Sequence, residues 1–313
     1  VTPHLPLGGH RTRDLAFSPD GATLYVSVGS GSNDADGMGP GIGALSGVNR
    51  ALEAAWGNET DRADVLTFDP QGKDKKIFAT GTRNSVGMAV APTGTLWCLT
   101  NERDGFGDDV PPDYVTRVRE GAFYGWPWYY IGANEDPHHR GERPDLKDKV
   151  RVPDVLIEAH SASLGMTIYD GAQFPAGYRG NIFAAEHGSW NRSKRTGYKV
   201  IRIIVKDGAP TGEYEDFATG FVINDSTVWG RPVGLAVDKD GALLVSEDGN
   251  GTIWRVSFTG RSGPGAVNDP WRWRERSATG TACTVAALLP IDGAALNYDF
   301  IARQRIFTPG YQD

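Results

Sequence analysis

The sequence predicts an all-β chain of the β-propeller kind, and three observations carry that prediction. Glycine (41 residues) and proline (19) are abundant, together about a fifth of the chain against a usual ~12%. They come with 9 tryptophans and 11 tyrosines, residues that favour strands. The third observation is one strand–turn–strand phrase that recurs. LAFSPDGATLYVSVG (15–29), VGMAVAPTGTLWCLTNE (86–102) and VGLAVDKDGALLVSEDG (233–249) share it, and LGMTIYDGAQFPAGYRGNIFAAEHG (164–188) is a fourth copy with a longer turn.

Each copy reads as an alternating apolar strand, a tight turn around glycine and a second apolar strand. The turn glycines Gly21 and Gly94 lie 73 residues apart, and Gly94 and Gly241 lie 147 apart, about twice as far, with the fourth copy between them. A fixed period with a hairpin in each repeat predicts radial β repetition. The alternative, a β-sandwich, has no need of the same phrase four times at even spacing. Long loops separate the copies at 29–49, 101–114 and 131–149; loops of this length are commonly functional, and in a propeller they gather on one face. SGPGAVNDPWRWRERSATG (262–280) lacks strand alternation. The expected division is therefore a propeller over 1–258 and an irregular extension over 259–313.

Composition excludes several function classes. A net charge of −7 with no basic stripe argues against nucleic-acid binding. ACTVAALLPI (282–291) is the longest apolar run, short of the ~18–20 residues that span a bilayer. Cys98 and Cys283 make no disulfide framework, and Cys98, inside TLWCLT, reads as a small buried thiol. The chain opens at Val1 without methionine or signal peptide, as expected of a processed or truncated sequence.

Several segments could carry chemistry. In NERDGFGDDVPPDY, Asp104, Asp108, Asp109 and Asp113 alternate with Gly105 and Gly107, hard oxygen donors on a pliant backbone. Calcium takes such ligands, although the EF-hand spacing is absent and a solvated acidic loop explains the same residues. In GTRNSVG (81–87), the Arg83 fork of donors suits a carboxylate or a developing oxyanion, and Asn84 offers a donor and an acceptor; a rim salt bridge is the alternative. EHGSWNRSKRTGYK (186–199) concentrates His187, Arg192, Lys194, Arg195 and Lys199, a local surplus that suggests an anionic ligand. His138 and His139, adjacent in a polar loop, read as solvated. The wider pattern is positional: His10, Arg83, His160 and Arg231 each stand just before the first strand of a repeat. In a propeller such positions converge, so four separate surface accidents are a poorer explanation than one polar pocket.

Taken together, GGHRTRDLAFSPDG, TRNSVG, NERDGFGDD with YGWP, and AEHGSWNRSKRTGYKV with WGRPVG resemble the soluble pyrroloquinoline-quinone (PQQ)-dependent aldose dehydrogenases, most of all their L-sorbosone dehydrogenase-like branch. The similarity runs over residues 1–258. It implies a six-bladed propeller of the quinoprotein glucose dehydrogenase type, here with about four recognisable blades and truncated before His10, and it implies PQQ and calcium as cofactors. By that resemblance His10 is the catalytic base, and Arg83 polarises the quinone carbonyl with Asn84 beside it. Lys194 and Arg231 pair with PQQ carboxylates, and His160 is a polar contact to the cofactor. Asp104 and Gly105 supply carbonyls to calcium, while Asp109, Asp113 and Tyr124 fall near further calcium positions. The implied activity is oxidation of an aldose or sugar-derived aldehyde, with electrons passing to a cytochrome or dye, in the periplasm or outside the cell. Two other readings remain open at this stage: a propeller that binds carbohydrate or protein without catalysis, and a calcium-dependent hydrolase of the lactonase kind.

Overall fold

The computed structural model describes residues 5–11, 13–36, 38 and 57–258, together with the backbone of Cys283–Pro290 and Tyr298–Asp299. It divides into two compact units, Val1–Ser163 with Trp190–Ser193, and Leu164–Ser189 with Lys194–Asp313.

Each of the four repeated phrases forms the first hairpin of its own sheet. The first sheet runs Leu15–Phe17, Leu24–Val28, Asp64–Phe68, Lys76–Thr80, each strand antiparallel to the next, with Ala122–Phe123 added in parallel. The second is an antiparallel meander of Asn84–Val90, Leu96–Asn101, Asp113–Arg117 and Val155–Ile157. The third orders Ser163–Ile168, Ile182–Glu186, Lys199–Lys206 and Ala209–Ala218. The fourth orders Pro232–Val237, Leu243–Glu247 and Thr252–Phe258, then Cys283–Pro290 and Tyr298–Asp299. Four separate meanders are blades of a propeller, and the two-faced sandwich is excluded. Residues 259–313, expected to be irregular, thus contribute two strands to the fourth sheet; the remainder of that segment lies outside the described residues, as does most of the 29–49 loop.

The turns explain why the phrase recurs. Gly21 (φ +69°), Gly94 (φ +86°) and Gly241 (φ +88°) occupy the left-handed region that a side chain makes costly. In each, the glycine N–H donates back three residues, to the carbonyls of Ser18, Ala91 and Asp238, all at 2.8 Å. The first unit's core gathers Val65, Ala79, Met88, Leu96, Cys98 and Tyr124. Strict alternation fails here: Leu96 through Thr100 are all buried, since both faces of this strand are covered, and a continuous apolar run is what such a strand requires. Cys98 is a buried free thiol, pushed up to about 12 by burial. The second unit's core is aromatic. Phe174 stacks on Tyr169 with ring centroids 4.7 Å apart, and Phe183 meets Phe217 edge-on at 4.6 Å, geometries that aromatic pairs favour.

Candidate active site

The site residues of the first unit are placed by its loops. Arg62 clamps the chain before His10, its Nη1 donating to the Gly8 carbonyl at 3.2 Å, and Arg13 donates to the His10 carbonyl at 2.6 Å. The His10 N–H in turn donates to the Ser30 carbonyl at 3.0 Å, and the Ser30 N–H to the Arg83 carbonyl at 2.7 Å. The loop of His10 is thereby tied to the loop of Arg83 through one residue.

The tautomer of His10 follows from its partners. Nδ1 lies 2.9 Å from both the carbonyl and the hydroxyl oxygen of Ser30. That hydroxyl spends its own proton on the Ser32 carbonyl at 2.6 Å, so both oxygens are acceptors and Nδ1 carries the proton. Nε2 makes no hydrogen bond among the described residues and holds the free lone pair. Burial, and then the charge of Arg83, depress the imidazole to about 4. His10 is therefore neutral at neutral pH, with its basic nitrogen open.

Arg83 is buried, with 3% of its surface exposed. It donates to the Glu102 carbonyl at 2.7 Å, the Asn101 carbonyl at 3.2 Å and the Asn33 side chain at 2.7 Å, and faces the Asp104 carboxylate at 3.6 Å. Asn84 is buried beside it, and its Oδ1 has no hydrogen-bond partner among the described residues. Gly29 lets His10 and Asn84 pack close together: a Cβ there would meet Asn84 Oδ1 at 2.3 Å and His10 Cβ at 2.7 Å. Arg83 (φ +23°) and His160 (φ +64°) both adopt left-handed backbone, a strain of order 1–3 kcal/mol each that clusters at functional sites.

His160 has the opposite electrostatics. Its Nε2 donates to the Gly107 carbonyl at 2.9 Å, and Nδ1 lies 3.4 Å from Asp104. Asp104, which also accepts from Asn191 at 2.5 Å, raises His160 above its ordinary value. Three of the four residues that precede a repeat, His10, Arg83 and His160, thus belong to one polar network. Arg231 lies in the second unit, where its Nε donates to the His187 carbonyl at 3.3 Å and its guanidinium stands 5.7 Å from the Tyr198 ring. Lys194 is exposed in that unit and pairs with no carboxylate among the described residues.

The acidic residues distribute differently from a single metal cluster. The carboxylates of Asp104, Asp109 and Asp113 do not converge on one point: among the described residues, only Asp34, Asp136 and His138 bring three such groups within 4.8 Å. Asp109 is largely exposed and pairs with Arg192 at 2.8 Å. Asp113 is buried on its strand, accepts from the Glu102 N–H at 2.8 Å and is pushed up to about 7 by burial. Tyr124 is a core residue, and its hydroxyl donates to the Arg117 carbonyl at 2.8 Å; burial of the YGWP aromatic took it away from the loop. Gly105 (φ +97°) stays on the exposed side of that loop. His138, read as solvated, faces Asp34 and Asp136 at 3.4 Å each, but Asp136 is already neutralised by the fully buried Arg103 at 3.0 Å. Sequence reasoning missed Ser30, Asn33 and Asn191. Their signal was faint, a short polar residue in a long loop.

The model of the glucose/sorbosone dehydrogenase family matches residues 1–203. The chain belongs to that family. A protein of Borreliella burgdorferi, described only as uncharacterized, is 34% identical over 200 residues, covering 63% of this chain and 52% of its own length. A PQQ-dependent pyranose dehydrogenase of Coprinopsis cinerea is 31% identical over 123 residues, 33% of this chain and 16% of that protein. The chain thus spans about half or less of the length of these relatives. Among solved structures, the holo form of the PQQ domain of the Coprinopsis enzyme superposes with a TM-score of 0.62 at 21% identity, covering 81% of this chain and 71% of that one. The soluble aldose sugar dehydrogenase of Escherichia coli gives 0.53 at 20% identity, covering 79% and 63%. These likenesses establish the propeller fold.

Proposed function

We propose that this chain carries the site of a PQQ-dependent dehydrogenase that oxidises an aldose or a sugar-derived aldehyde, with sorbosone-like compounds among the candidate substrates. The observation that carries the reading is His10: a neutral imidazole with Nδ1–H held by Ser30 and Nε2 open, joined through Ser30 to a buried arginine. PQQ would supply the hydride acceptor, the hard part of the chemistry. Nε2 of His10 takes the proton from the anomeric hydroxyl of the sugar. Arg83 supplies positive charge where the oxyanion develops. The buried Oδ1 of Asn84, which has no hydrogen-bond partner among the described residues, suits a polar ligand that brings a donor. Because Arg83 is the second cause of the low His10 value, an anionic group beside Arg83 would lift His10 toward neutrality, where a general base works best.

His160 adds a polar contact on the same network, and Lys194 and Arg231 keep only the role that the sequence resemblance gives them, pairing with ligand carboxylates. Calcium is assigned to the backbone carbonyls of Asp104 and Gly105 rather than to a carboxylate cluster; one Trichoderma reesei structure of the same fold is described as a calcium structure. Electrons would leave to an external cytochrome or dye, and the site of action would be periplasmic or extracellular. No helix among the described residues is long and apolar enough to cross a membrane. The test is titration of the chain with PQQ and Ca²⁺, followed by absorbance, and then dye reduction by aldoses. Saturable binding and turnover are expected; absence of PQQ binding in calcium-replete buffer would overturn the reading and leave a propeller that binds carbohydrate or protein.

A further inference from the structure

Asn33 belongs to none of the motifs that carry the chemistry, yet its side chain makes four hydrogen bonds within the site. Its Oδ1 accepts from Arg83 Nη2 at 2.7 Å and from the Asp104 N–H at 2.8 Å. Its Nδ2 donates to the Asp104 carbonyl at 3.0 Å and to the Asp34 carboxylate at 2.8 Å. Its backbone carbonyl accepts from the indole of Trp126 at 3.0 Å and from Arg83 Nε at 3.4 Å.

This arrangement demands an asparagine. One edge of the amide meets two donors and the other meets two acceptors, which also settles which atom is oxygen. Aspartate would set a second acceptor against the Asp104 carbonyl and the Asp34 carboxylate. Glutamine would carry the amide one methylene too far. The side chain also stands between opposite charges: Arg83 and Asp104 approach only to 3.6 Å, longer than a charge-assisted hydrogen bond, while Asn33 bonds to both. Resting on the function proposed above, we propose that Asn33 is a positioning residue that aims the Arg83 guanidinium and orients the Asp104 carbonyl, preventing arginine and aspartate from closing into a direct pair.

The experiment compares the full chain with Asn33→Asp, nearly isosteric, and Asn33→Ala. Without any cofactor, side-chain NMR follows hydrogen exchange at Arg83 Nε and Nη. Asn33→Ala removes the acceptor of Nη2 and should exchange there at least roughly tenfold faster than wild type. Asn33→Asp, which keeps that acceptor and opposes the Asp104 carbonyl and Asp34, should not. Both melting temperatures should stay close to wild type. In protein reconstituted with PQQ and Ca²⁺, kcat should fall roughly 10- to 100-fold, the scale expected of a misaimed catalytic group, with KM for the sugar within about threefold. A purely structural role would move stability and leave kcat of the folded fraction unchanged. Unchanged Arg83 exchange together with wild-type kcat in Asn33→Ala overturns the inference. If wild type binds no PQQ, the proposed function falls by itself, and the exchange measurement still decides whether Asn33 holds Arg83.

Discussion

Two loops of the first unit place a histidine at the same point of the repeat and give it opposite character. His10 precedes Leu15–Phe17 and is held neutral, because burial and Arg83 outweigh the help it receives from Ser30. His160 precedes Ser163–Ile168 and is drawn toward the charged form, because Asp104 and the Gly107 carbonyl outweigh its burial. The repeat decides where such a residue stands; its nearest charge decides what it can do. A base that must accept a proton belongs at the first position, and a cation that holds an anion at the second.

The largest expected effect separates these roles. His10→Ala should lower the PQQ-supported turnover by roughly 10²–10⁴-fold, the usual contribution of a general base. His160→Gln should act mainly on the cofactor concentration needed for half-maximal activity. Equal losses of kcat in both variants, measured by steady-state dye reduction, would erase the distinction.

Next in size is Arg83→Met. It removes the second cause of the low His10 value, so His10 should titrate closer to its ordinary 6.5, as read by NMR of the imidazole. Turnover should still fall by roughly 10²–10³-fold for loss of an oxyanion donor. Asp104→Asn is smaller and sharper. Asp104 raises both histidines, so both should titrate lower, His160 by more because it touches the carboxylate.

The smallest effect is on stability, and its sign differs between the two. His10 binds a proton more readily unfolded, near 6.5, than folded, near 4. Its contribution is therefore present above about pH 6.5 and lost as pH falls toward 4. His160, raised in the folded state, stabilises at pH below its ordinary value and loses that contribution as pH rises through its folded value. Denaturation of His10→Gln across pH 4–7 should be flatter than wild type, and that of His160→Gln should lack the decline at the upper end.

Much of this was legible in the residues. The strand–turn–strand phrase located the first hairpin of all four sheets, because a left-handed glycine in a tight turn and apolar flanks are local requirements. The placement of His10, Arg83 and His160 before those hairpins was legible for the same reason. The burial of Tyr124 was not legible, because its motif carries no information about whether the hydroxyl faces the loop or the core. Asn33 was invisible because it lies 50 residues from Arg83 and 71 from Asp104 in sequence, and nothing in a Gly/Ser-rich loop marks one amide as a hub.

The sequence by itself determined the blade unit, the β class and the positions from which a polar site could be built, all set by short-range periodicity and turn chemistry. Tertiary structure alone decided the chemistry: which histidine is neutral, which carboxylates are already paired, and which amide spans the gap between arginine and aspartate. Those properties depend on desolvation and on charges within a few ångströms, and only the folded chain brings such groups together.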